Sequence, residues 1–205
     1  DGPMLSPPED IRIDGRMPLR DVDLTFWAPL PSGTGLSAEA RITEKSFEAT
    51  VSSGRTSGVK VNGGHLLITG IDKGKGYELT ELSFDLAGPL ARVMTVLDRP
   101  PLRFARYLDL PPSKLGGTIS GTLTAKFPPV ADLALDDIEI GASGSSRRTV
   151  IPQAAFGQDL TDGQFKFKVD KTALSLNGRG AMAGAAVKLQ ADLKFTPSAR
   201  YRSRF

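Results

Sequence analysis

The sequence predicts a mainly all-β fold: antiparallel meanders with a short helical insertion near residues 89–110. Three observations predict it. Apolar and polar residues alternate with period two through most of the chain. Clusters of Gly, Asn, Asp and Ser interrupt the alternation about every 8–12 residues. One segment, 88–110, changes to a helical period.

The last strand is the clearest. Val187, Leu189, Ala191, Leu193 and Phe195 alternate with Lys188, Gln190, Asp192 and Lys194. Such a strand sets one face in oil and one in water. Taken from the N-terminus, weak strands are expected at Ile11/Ile13 and Val22/Leu24/Phe26. Stronger ones follow at Leu36/Ala38/Ala40/Ile42 and Phe47/Ala49/Val51. Val59/Val61, Leu66/Ile68 and Leu82/Phe84/Leu86 continue the pattern, then Ile119/Gly121/Leu123/Ala125/Phe127. Ile138/Ile140, Phe165/Phe167/Val169 and Leu174/Leu176 complete it. The expected total is about twelve strands. "SSGRTSG", "NGG", "DKGKG", "GASGSS", "TDGQ" and "NGRG" read as the turns between them. Short turns between consecutive strands imply antiparallel pairing.

In the exception, Leu90, Val93, Met94 and Leu97 share one helical face, with Pro89 at the first helical position. Asp98 is placed to cap a second short helix that opens on Pro100-Pro101. Leu102, Ala105 and Leu108 cluster in that helix, and Pro111-Pro112 ends it. The expected organisation is a disordered lead (1–8), a first meander (9–87), a helical insertion (88–114), a second meander (115–195) and a basic tail (196–205). A single continuous domain is the other option.

Composition narrows the chemistry. The 205 residues suffice for a sizeable core. With no cysteine, disulfides, thiol catalysis and cysteine-ligated metals are excluded. Formal charge is +3, and Arg200, Arg202 and Arg204 crowd the C-terminus. The body is near neutral, so no nucleic-acid partner is expected. No apolar run approaches the about 18 residues of a membrane span. The chain begins Asp-Gly-Pro, so an excised or processed segment is expected, with any membrane anchor outside it.

No catalytic constellation stands out. His65 is the sole histidine and cannot form a multi-histidine metal site. "GKGYELT" lacks the third glycine and the helix of a phosphate loop, and reads as a hairpin turn. Glu39, Glu48, Asp85 and Asp192 fall in the polar phase of their strands. Asp132, Asp136, Asp137 and Glu139 match no calcium-loop spacing. Ser145–Arg148 reads as a solvated loop. The expectation is a non-enzyme without cofactor or metal. Small residues recur on the apolar phase, which suits either an interdigitated core or a face that leaves room for a guest.

Three phrases carry a family likeness: "LSFDLAGPL" (82–90), "PPLRFARYLDLPP" (100–112) and "GGTISGTLTAKFPP" (116–129). With "LTDGQFKFKVDKTALSLNGRGAMAGAAVKLQADLKF" (160–195), the chain resembles the AsmA-like envelope proteins of Gram-negative bacteria, the YhdP/TamB-like group, over residues 20–195. The resemblance implies a sheet curled lengthwise into an apolar groove, in a periplasmic protein anchored in the inner membrane. It implies bridge-type phospholipid transfer towards the outer membrane, with acyl chains and neighbouring repeats of the same protein as partners. It carries no catalytic motif.

The groove lining would then include Leu36, Ile42, Phe47, Val51, Ile119, Leu123, Phe127, Phe165, Phe167, Leu189 and Leu193. Leu102, Ala105 and Leu108 would plug or cap it. Exposing an acyl tail costs about 0.8 kcal/mol per methylene, so a continuous greasy floor removes the main barrier to moving it. The alternative is a structural or adhesive β-sandwich with a closed core and no ligand.

Overall fold

The computed structural model describes residues 12–25, 32–98, 111–130 and 133–195. The expected lead, the second helix with Leu102, Ala105 and Leu108, and the basic tail lie outside the described residues.

Ten strands form one antiparallel sheet in sequence order: β1 (Asp14–Leu24), β2 (Gly33–Thr43), β3 (Ser46–Thr56), β4 (Val59–Thr69), β5 (Leu79–Pro89), β6 (Gly116–Phe127), β7 (Glu139–Ala155), β8 (Gln158–Asp170), β9 (Ala173–Met182) and β10 (Ala185–Lys194). The sheet curls but does not close, in line with the expected all-β curled sheet.

Ten strands replace the expected twelve because several glycine clusters lie inside strands. "NGG" (62–64) sits within β4, which joins Val59/Val61 and Leu66/Ile68 into one strand. β1 starts only at Asp14, so Ile13 precedes it. "GASGSS" lies within β7 and "NGRG" within β9. Ser145–Arg148 is therefore β7 backbone and not a loop. Ser146 is buried there and accepts a 2.8 Å hydrogen bond from the Thr149 hydroxyl. "TDGQ" lies within β8, where Asp162 has φ 51° and the register with β9 slips.

Of the expected turns, "SSGRTSG" ends in the β3–β4 turn at Ser57-Gly58 and "DKGKG" lies in the β4–β5 connection. Ser57-Gly58, Phe156-Gly157 and Ala183-Gly184 each have two positive φ values, and their flanking residues pair. That is the two-residue turn whose twist suits a hairpin. The β8–β9 turn instead hangs on Asp170. Its Oδ1 accepts the Thr172 hydroxyl (2.6 Å) and the backbone N–H groups of Thr172 (2.7 Å) and Ala173 (3.0 Å). The Thr172 hydroxyl bond, then its N–H, holds the Asp170 carboxyl below its usual pKa range despite slight burial. Asp170→Ala is expected to lower Tm by about 2–4 °C at neutral pH. A carboxyl with a depressed folded pKa stabilises above its unfolded value. The difference between wild type and variant should therefore vanish as pH falls through the depressed value, read by thermal melts from pH 7 to pH 2.

β5 and β6 pair directly from Thr80–Phe127 to Pro89–Thr118, so the sheet runs unbroken past the insertion. α1 (Leu90–Leu97) follows β5, packs on β5, β6 and the turn Pro112–Lys114, and keeps its predicted face half-buried. Pro89 ends β5 and caps the helix with extended backbone; it does not take the first helical position. Its missing N–H costs nothing there, because a cap residue donates no helical bond.

Candidate functional site

One face of the sheet carries an apolar row from edge to edge. In register across all ten strands stand Leu19, Ala38, Val51, Gly64, Phe84, Leu123, Ala142, Val169, Leu174 and Leu193. Paired residues share a face, so this row is continuous. Met17, Ala40, Ala49, Leu66, Leu82, Ala125 and Ile140 make a parallel row over β1–β7. At about 4.8 Å per strand the full row spans roughly 43 Å.

All eleven lining residues expected from the sequence fall on this face, but they differ in access. Leu36, Val51, Phe127 and Phe165 are buried. Ile42, Phe47, Ile119, Leu123, Phe167, Leu189 and Leu193 are half-buried. Leu36 and Val51 join Ala38 and Val61 in a cluster with Leu19, Phe84 and Leu86. Phe127 is covered by Leu133 and Ile138 from the β6–β7 connection. That connection closes over the face at the Phe127 end. Sequence reading missed this cover, although two aliphatics in a connection rich in Pro and Asp were its available signal.

Glycines within strands make seats for the large side chains. A Cβ on Gly64 would meet the Phe84 ring and the Ser83 carbonyl, and a Cβ on Gly178 or Gly163 would meet the Phe165 ring. Gly144 lies under the Phe167 ring tip. Gly64 has no positive φ, so alanine there would ordinarily stabilise by stiffening the unfolded chain. The clash with Phe84 outweighs this, and Gly64→Ala is expected to cost about 1–3 kcal/mol in urea unfolding.

The opposite face is charged. Arg16, Arg41, Glu48, Leu67, Glu81, Lys126 and Glu139 stand in register across β1–β7. Arg41 binds Asp14 through two 2.9 Å hydrogen bonds, which hold the Asp14 carboxyl below its usual range and raise the guanidinium. Lys126 meets Glu81 at 2.8 Å, and that hydrogen bond raises the ammonium pKa. His65 Nε2 lies 2.8 Å from Glu48 Oε1. Asp85 accepts from Thr122, and Asp192 from Ser175. Exposed pairs of this kind contribute little stability but favour one strand register over others.

Two depressions, of about 540 and 260 Å³, are lined mainly by the polar phase: the first by His65, Glu81, Ser83, Thr124 and Lys126 among others, the second by Lys166, Lys168, Ser175 and Gln190 among others. They are open and shallow. Among the described residues no cluster of three or more His, Asp or Glu is arranged to hold a metal, and no helix is long and apolar enough to cross a membrane. The arrangement offers an extended apolar surface, not a convergent polar site. No family model, curated protein or solved structure matches the chain.

Proposed function

We propose that the apolar face shields phospholipid acyl chains, as an internal segment of a longer periplasmic envelope protein anchored in the inner membrane. The observation that carries this reading is the unbroken apolar row over ten strands, on a curled sheet that does not close. A row without polar interruption gives a sliding tail no preferred stop, and each methylene kept from water saves about 0.8 kcal/mol. The reading involves no chemical step. The sandwich alternative needs two facing sheets. The buried clusters instead join neighbours within one sheet and its β6–β7 connection, which favours the open face.

The test pairs native mass spectrometry with photocrosslinking in envelope extracts. Purified protein should carry phospholipid. Crosslinkers at Phe167, Leu189 and Leu193 should label acyl chains, and crosslinkers at Lys166, Lys168 and Gln190 should not. Lipid-free protein, or labelling from the polar positions alone, overturns the reading.

A further inference from the structure

The two edges of the sheet are built differently. β1 carries Pro18, which has no N–H to offer, and two register slips, with Asp21 at φ 54°. These are devices that protect an edge from another strand. β10 has none of them. Its ten residues pair with β9 without a slip, and among the described residues nothing pairs with its outer side. It contains no proline or glycine and alternates apolar with polar from Val187 to Lys194.

The β10 sequence is also complementary to itself. In an antiparallel pair of two copies centred on Gln190, Lys188 of each lies opposite Asp192 of the other. Val187 lies opposite Leu193, and Leu189 opposite Ala191. A two-fold axis normal to the sheet keeps the apolar faces on the same side, so the apolar row continues across both copies. Neighbouring in-phase registers are worse. Centring on Lys188 or Asp192 sets like charges opposite each other, and centring on Ala191 pairs Lys188 with Lys194. Centring on Leu189 makes no charge pair. Among the described residues Lys188 has no ion pair of its own. Opposite charges directly across an antiparallel pair stabilise it and like charges destabilise it.

We propose that β10 is a homodimer edge, which a second copy of this chain extends into a twenty-stranded sheet centred on Gln190. A strand from beyond residue 195 of the same polypeptide is the competing occupant, and it would leave the chain monomeric. The proposal does not rest on acyl-chain binding, because dimerisation is measured without lipid, but a second copy at β10 excludes a following repeat of the same polypeptide from that edge.

The chain has no cysteine, so single cysteines report the pairing cleanly. Gln190→Cys should give a disulfide dimer under mild oxidation, since facing Cα atoms lie about 4.5–5.5 Å apart. Thr50→Cys, exposed in mid-sheet on β3, should not. Sedimentation should give a dimer for the unmodified chain. Lys188→Asp alone and Asp192→Lys alone should each weaken it at least tenfold, and the double swap should restore it. Far-UV circular dichroism checks that each variant folds. A monomer at all concentrations overturns the proposal. So does a dimer indifferent to the single reversals, or Gln190→Cys crosslinking no faster than Thr50→Cys.

Discussion

Phe165→Ala should lower the free energy of unfolding by about 3–5 kcal/mol, the range for deleting a fully buried ring. Phe165 is 3% exposed on β8. Its ring lies where the Cβ atoms of Gly163 and Gly178 would otherwise be. Two of its seats are glycine backbone, which cannot relax into the vacancy as a side chain would. The loss therefore belongs at the upper part of the range, since cost rises with the cavity left behind. Phe156 is the matched control. It is 95% exposed at the β7–β8 turn, and Phe156→Ala should stay within about 0.5 kcal/mol. Urea titrations followed by circular dichroism compare the two. Equal effects would mean that the Phe165 seat is not packed.

Phe165 also marks what the sequence makes legible. A period of two assigns a residue to a face without any tertiary knowledge. That is why Phe165, Phe167 and the other nine expected lining residues all stand on the apolar side. Depth is a different quantity. Phe165 is buried and Phe167 half-buried although the same alternation produces both. The difference comes from neighbours on other strands, and single-strand periodicity holds no information about them.

Glycine misled in the same way. In "GASGSS" and "NGRG" it reads as a turn, yet Gly144 and Gly178 are strand residues opposite aromatic rings. A glycine that makes room for a ring and a glycine that supplies a positive φ are the same letter. Only the partner strand tells them apart. Conversely, Phe156-Gly157 and Ala183-Gly184 form tight turns, although phenylalanine and alanine are not residues that favour a left-handed first position. There the pairing of long flanking strands overrides local preference.

Phe167→Glu should reduce phospholipid retention about 100-fold while leaving the sheet folded. Phe167 occupies an apolar row with Gly144, Leu176 and Ala191. It is half-buried, so the carboxylate can reach water and the fold need not bury it. An acyl chain crossing that row would meet the charge and its hydration shell. Losing contact with about four methylenes costs about 3 kcal/mol at about 0.8 kcal/mol each, which corresponds to about two powers of ten in affinity. Lys166→Glu changes charge by two units on the next residue but on the polar face, and should leave retention unchanged. This pair separates an electrostatic explanation from a hydrophobic one. Attraction of anionic headgroups by the lysines of β8 would make Lys166→Glu the damaging variant and Phe167→Glu the milder one. Shielding of acyl chains by the apolar face requires the reverse order. Quantitative lipid extraction from equal amounts of folded protein measures it.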